Sequence, residues 1–202
     1  MDTILQYFAG PLGKVELLAT IFSVICVYLA TKHNILTWVF GAVGVLLFGY
    51  LFYEYNLYSD AGLQLLFYLP LQFVGFWYWR KTASQLNSYT AVRAMSYSFI
   101  ALTVLGVMGA SGINGYLMST YTDASFPYVD ALTTWLSIAA QLLMIAKFRE
   151  SWVFWVIMDI IAIGVYFSKG LIVTSGLYVV FLFLAIYGGI RWYSDYNKQI
   201  KV

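Results

Sequence analysis

Thr37-Trp38-Val39-Phe40 returns, almost letter for letter, as Ser151-Trp152-Val153-Phe154, 114 residues further on. Sliding the chain by that offset without gaps compares 15–75 with 129–189. The register matches Val15/Val129, Leu18/Leu132, Thr20/Thr134, Ser23/Ser137, Leu29/Leu143, Trp38/Trp152, Val39/Val153 and Phe40/Phe154. It goes on through Leu57/Leu171, Gly62/Gly176, Leu63/Leu177, Phe67/Phe181 and Gly75/Gly189, giving 13 identities in 61 positions. Biased composition inflates matches among Leu, Val and Phe. It does not readily produce paired Trp, Gly, Ser and Thr in one gapless register, so the chain reads as a duplication.

The duplicated segments are apolar. Of 202 residues 62% are hydrophobic, 20% aromatic and 10% charged, against about 25% charged in soluble domains. Too little polar surface remains to cover the molecule in water, so the lipid bilayer is the expected solvent. Seven runs are long enough to cross roughly 30 Å of hydrocarbon as helices: 15–31, 35–53, 62–79, 93–118, 129–146, 151–168 and 171–193. The in/out alternation of a membrane barrel is absent, so the expected class is an all-α membrane protein. Three spans fall in a first repeat (15–79), one in a linker helix (93–118) and three in a second repeat (129–193). An odd-numbered repeat ends on the side opposite its start, and the linker span restores that side. The two repeats are therefore expected to be parallel, with substrate bound where they meet.

Charge agrees with that count. Lys32, Arg80, Lys81, Arg93, Lys147, Arg149, Arg191, Lys198 and Lys201 fall on one side; Lys14 and Lys169 fall on the other. Positive-inside bias places the N-terminus outside and the C-terminus in the cytoplasm. Residues 1–14 show no cleavable signal. Cys26, the single cysteine, reads as a small apolar filler, and a net charge of +2 does not suggest a nucleic-acid partner.

Polar side chains within spans are costly and face the bundle interior or a cavity. Gln64, Tyr68, Gln72 and Gly75 recur along one helical face. Asp130, Thr134, Ser137 and Gln141 do so in the fifth span, and Trp152, Trp155, Asp159 and Tyr166 in the sixth; Thr174 and Tyr178 follow in the seventh. A lone Ser or Thr is more often interhelical glue than a ligand-binding group, but a primary amide needs several partners, which tips Gln64, Gln72 and Gln141 toward substrate. Asp159 aligns with Val45, so the fold does not demand an acid there. Proton relay, attraction of a cation and a structural pair stay open for it. Pro70, inside a span, is a hinge candidate or a fixed kink. Trp77, Trp79 and Trp192 read as interface-belt residues, and Gly106, Gly109 and Gly112 as close-packing positions.

Enzyme chemistry finds no support. The one histidine, His33, lies in a loop, and no HExxH, GxSxG or phosphate-binding glycine loop occurs. Neither a catalytic residue, a metal site nor a cofactor is expected. A retinal protein would need a lysine within the last span, where 170–190 holds none. A receptor or scaffold is the alternative of another class, and would show no flux.

The run NILTWVFGAVGVLLFGYLFYEYNLYSDAGLQLLFYLPLQFVGFWYW (34–79) resembles the PnuC-type vitamin transporters, as does 130–193. The shared features include Leu57-Tyr58-Ser59-Asp60, Gln64, Tyr68, Ser137, Gln141 and a final Gly-x-x-Trp, and the similarity covers nearly the whole chain. The chain departs from the family at Val39, where proline is common. The Pro-Gln pair of the related SWEET sugar transporters appears only as Ala140-Gln141, and Cys26-Val27 lacks it. Those differences bear on proline gating rather than on the fold. The resemblance implies a SWEET-like three-one-three architecture in the bacterial inner membrane. It further implies facilitated, uncoupled uptake of nicotinamide riboside, with a cytoplasmic kinase trapping the product; a homo-oligomer is left open. Thiamine, or less favourably a neutral sugar, is the alternative cargo. The implied substrate site comprises Gln64, Tyr68, Gln72, Thr134, Ser137, Gln141, Trp155, Asp159 and Tyr178, with Pro70 as hinge or gate.

Overall fold

The structure, a computed structural model, describes residues 10–56, 61–86, 91–122, 125–168, 170 and 172–201. The family-like Leu57–Asp60 segment, Lys169 and the first nine residues lie outside them. Among the described residues there are seven α-helices: α1 Pro11–Thr31, α2 Leu36–Glu54, α3 Leu69–Leu86, α4 Tyr97–Tyr121, α5 Pro127–Ile145, α6 Ser151–Ser168 and α7 Ile172–Gln199. All but α3 are long and apolar enough to cross a membrane. Pro11 and Pro127 occupy first-turn positions, where the missing N–H costs no helical bond.

The third expected span, 62–79, is built differently. Leu63–Tyr68 forms a π-helical segment, π1, that runs directly into α3. Its last bond goes from the Leu69 N–H to the Gln64 carbonyl, five residues back. Pro70 stands immediately after this widened turn. A proline ring clashes in a regular α-helix with the carbonyl four residues before it, and the residues leading up to Pro70 are π-helical rather than α-helical.

The chain divides into two compact units, 1–90 and 91–202. In the first, α1 packs on α2, and α2 on π1 and α3; in the second, α4 packs on α5, α5 on α6, and α6 on α7. The helix expected to be a linker thus packs with the second unit. Its buried stripe is Val107, Ser111 and Gly115, four residues apart. A Cβ on Gly115 would sit 2.5 Å from Tyr128, whereas Gly106, Gly109 and Gly112 face open space. The close-packing glycine of α4 is therefore Gly115, and not the three the sequence suggested.

The same local architecture recurs inside each unit. The α1–α2 connection turns on His33 (φ 54°) and the α5–α6 connection on Lys147 (φ 60°). In each, two backbone bonds close the helix end: His33 N to Ala30 O and Asn34 N to Leu29 O, then Lys147 N to Met144 O and Phe148 N to Leu143 O. This is the Schellman arrangement, which needs one residue in the left-handed region. Just beyond each turn a buried tryptophan meets a second one edge-on: Trp38 with Trp79 at 5.3 Å, and Trp152 with Trp192 at 5.6 Å.

These pairs correct the belt reading of Trp79 and Trp192, which are both 0% exposed. Glycine makes the burial possible, because a Cβ on Gly75 would strike the Trp38 ring and one on Gly188 would lie 2.6 Å from the Trp152 ring. Gly188, rather than the expected Gly189, thus stands toward Trp152 as Gly75 stands toward Trp38. Only Trp77 behaves as a belt residue, exposed and capped by Lys81 5.1 Å above its ring.

Candidate substrate site

In the first unit the Trp38–Trp79 contact fixes the end of α3 beside the start of α2, which brings Arg80 and Lys81 to the end where Lys32 closes α1. In the second, Arg93 N donates to Lys147 O at 2.9 Å and Arg149 N to Arg93 O at 3.0 Å. Met95 N donates to Glu150 Oε2 at 3.1 Å, and Val92 N to the Gln199 side chain at 3.2 Å. The segment before α4, the α5–α6 loop and the end of α7 therefore share one end. Each unit gathers most of its described cations at a single end and leaves the mid-helix region to neutral polar groups, joined in the second unit by one acid, Asp159.

In the first unit Gln64 and Tyr68 lie on π1 and Gln72 on α3. Gln64 and Tyr68 are partly buried and Gln72 is 6% exposed. Gly41 of α2 makes room for Gln72: a Cβ there would come 2.5 Å from Gln72 Oε1 and 3.1 Å from Cys26 Sγ. The carboxamide is thus held where α1, α2 and α3 meet. The Cys26 backbone carbonyl accepts from the Thr37 hydroxyl at 2.8 Å, and the Cys26 Sγ lies 3.4 Å from that hydroxyl oxygen. Tyr68 packs edge-on against Phe67 at 5.3 Å. Pro70 is exposed at the π1–α3 junction.

In the second unit Thr134 and Ser137 spend their hydroxyl protons on their own helix, Thr134 to Asp130 O and Ser137 to Thr134 O, both at 2.8 Å. Their oxygens remain acceptors. Gln141, one turn further along α5, is 8% exposed. Trp155 packs against the apolar cluster of Leu136, Ala140, Leu143, Phe154, Met158 and Ala162. Asp159 is 2% exposed, and no hydrogen bond or ion pair to its carboxylate is found among the described residues. Tyr178 stacks on Tyr166 with centroids 5.1 Å apart and planes 17° from parallel. Trp152, on the same sequence face as Trp155, is instead committed to Gly188 and Trp192.

The named residues thus fall into two sets, Gln64, Tyr68 and Gln72 in one unit and Thr134, Ser137, Gln141, Trp155, Asp159 and Tyr178 in the other. Two further residues stand beside the second set. Tyr166, which the sequence placed on the polar face of the sixth span but left out of the site, forms half of the stacked pair. The buried Trp135 indole N–H, which the sequence did not single out, has no partner among the described residues. Trp135 follows Thr134 directly, but a tryptophan in a span reads as packing until its N–H is seen unmatched. No cluster of three His, Cys, Asp or Glu that could hold a metal occurs among the described residues. The second set joins aromatic faces and neutral polar groups to one buried acid.

Residues 13–194 match the family described as "Nicotinamide mononucleotide transporter". The "Nicotinamide riboside transporter PnuC" of Neisseria mucosa is 30% identical over 86% of this chain and 70% of its own length. The protein of the same name from Escherichia coli is 27% identical, over 93% of this chain and 88% of its own. A solved structure titled "Crystal structure of the Vitamin B3 transporter PnuC" superposes with a TM-score of 0.75 at 28% identity, covering 96% of this chain and 86% of that one. A family match spanning nine-tenths of an apolar, multi-helical chain leaves no room for an enzyme: this protein belongs to the nicotinamide mononucleotide transporter family, the PnuC membrane transporters.

Proposed function

We propose that the chain carries nicotinamide riboside, unphosphorylated, down its gradient across the bacterial cytoplasmic membrane. Its seven crossings comprise the six apolar helices and the continuous run 61–86. They are arranged three-one-three, with the N-terminus outside and the basic ends of both units in the cytoplasm. Gln64, Tyr68, Gln72, Thr134, Ser137, Gln141, Trp155, Asp159 and Tyr178 form one central site, exposed to each side in turn by rocking of parallel repeats. Pro70, beside the π turn, is the hinge. A cytoplasmic kinase keeps the inside concentration of free riboside low.

The observation that carries this reading is Asp159, a carboxylate buried on α6 with no cationic partner among the described residues. A buried charge needs a counter-charge, and the pyridinium of the riboside supplies one while stacking on aromatic faces such as Trp155 and the Tyr166–Tyr178 pair. Buried amides at Gln72 and Gln141 suit its carboxamide and ribose hydroxyls. The family description names the mononucleotide and the curated relatives name the riboside. Charge favours the riboside, because every described Lys and Arg lies in a loop or toward a helix end, and a dianionic phosphate at depth would need such a partner. Thiamine, also a cationic aromatic, is the second reading and rests on the same acid.

The test is a binding panel on purified protein: nicotinamide riboside, its mononucleotide, thiamine, riboflavin and glucose. The riboside should bind and glucose should not. Tight binding of glucose, with none of the cationic aromatics, would refute the reading.

A further inference from the structure

Away from the proposed central site, a crevice of about 410 Å³ opens between the start of α6 and the end of α7. Its walls are Val153, Val156, Ala185 and Ile186, and Gly189 leaves its floor open over Trp152, where a Cβ would lie 3.3 Å from the tryptophan Cβ. Val153 and Ile186 are 56% and 44% exposed, so the crevice faces outward from the unit. In a membrane-embedded helix pair, such a slot has the volume and apolar lining to take an acyl chain.

Its mouth is polar. The Arg149 guanidinium lies 4.5 Å from the Tyr193 ring and 4.4 Å from the Tyr196 ring, and its Nε donates to Glu150 Oε1 at 3.1 Å. The two aromatic faces and the carboxylate hold the fork in place. Among the described residues, Nη1 and Nη2 make no hydrogen bond, and two parallel N–H groups match a phosphate. Arg93 and Lys147 join the same end through the backbone bonds that pair the two segments, so cations outnumber Glu150 there. A fixed guanidinium fork, local excess positive charge and an apolar slot running into the membrane match one ligand, a lipid with an anionic head.

We infer that the α6–α7 crevice is a binding site for an anionic phospholipid, its phosphate on Arg149 and one acyl chain lying along Val153, Val156 and Ile186. The choice of the inner leaflet as source rests on the orientation proposed above; the chemistry of the site does not. A bound lipid would fill the slot and tie the α5–α6 loop to the end of α7, as interfacial basic pockets do with anionic headgroups.

Native mass spectrometry of the detergent-purified protein, titrated with phosphatidylglycerol, phosphatidylcholine or inorganic phosphate, tests this without any transport substrate. Wild type should retain about one phosphatidylglycerol per chain under conditions that strip phosphatidylcholine. Arg149→Gln and Gly189→Leu, the first removing the fork and the second filling the slot, should each lower retention at least fivefold. Arg80→Gln, a basic substitution in the other unit, should leave it unchanged, and circular dichroism should show unaltered helix content in all three. Equal retention by wild type and both crevice variants would overturn the inference. So would equal retention of the two lipids, or competition by millimolar inorganic phosphate, which would mark a bare anion site. Riboside binding is not read at any step, so failure here is separable from failure of the proposed transport function.

Discussion

The indole of Trp38 meets that of Trp79 edge-on, with centroids 5.3 Å apart and planes at 89°. That geometry places the positive edge of one ring against the face of the other and depends on Gly75, whose missing side chain admits the Trp38 ring. Gly75→Ala and Gly188→Ala should each destabilise the protein by about 1–3 kcal/mol, the usual cost of overpacking a well-filled site. Thermal unfolding in detergent would show it. Gly106→Ala, with open space around it, should shift the midpoint little.

Gly41→Ala should behave differently from Gly75→Ala. Its Cβ would meet the end of the Gln72 side chain, which can swing away, so stability should hold while the carboxamide is displaced. If Gln72 serves substrate, affinity for nicotinamide riboside should fall by roughly five- to 150-fold, the scale of one lost hydrogen bond of about 1–3 kcal/mol. Gln64→Ala and Gln141→Ala should do the same. Titration calorimetry beside unfolding curves would separate the two effects, and unchanged affinity in all three would make these amides structural.

Lys147 is 1% exposed in the α5–α6 loop, and burial pushes its ammonium from 10.5 down to about 8. The unfolded chain therefore binds more protons than the folded one between those values. The loss of stability from holding the charged form inside is fully present below pH 8 and fades as pH rises toward 10.5. Unfolding free energy should rise across that window through this group, by at most about 3 kcal/mol. Lys147→Met should flatten the rise; a slope that persists in the variant would assign it elsewhere.

The fold was legible where hydrophobic run length alone decides. Six of the seven helices overlap their expected bounds closely, because about 20 apolar residues admit few alternatives; the third, expected at 62–79, instead begins as a π-helical segment and continues as α3 to Leu86. What escaped was what two neighbouring helices decide between them. Trp79 and Trp192 carry the composition of belt residues, and only the glycines opposite their partners reveal that they are core. The π turn before Pro70 looks like any apolar helix in sequence. At the candidate site, residue type identified Gln72, Gln141 and Asp159 as polar groups in spans, and the structure buries all three. The unmatched indole N–H of Trp135 depends on what its neighbours lack, which no spacing rule records.

Asp159 separates attraction from coupling. A proton-driven carrier generally needs a relay of ionisable groups at membrane depth, and Asp159 is the one acid on α6. Asp159→Asn should weaken riboside binding by about tenfold or more, the loss of one charge-assisted contact. Flux in the variant should stay downhill and indifferent to an imposed pH step. Proton-driven accumulation by wild type, abolished in Asp159→Asn, would instead make this residue the coupling site.

Uptake by proteoliposomes of purified protein, with labelled nicotinamide riboside or its mononucleotide outside, reads both the cargo and the driving force of transport. The riboside should enter until inside and outside concentrations are equal and go no further, with or without a proton or sodium gradient, and the mononucleotide should stay out. Entry of the mononucleotide at a comparable rate, or accumulation of the riboside beyond equality, would contradict the account.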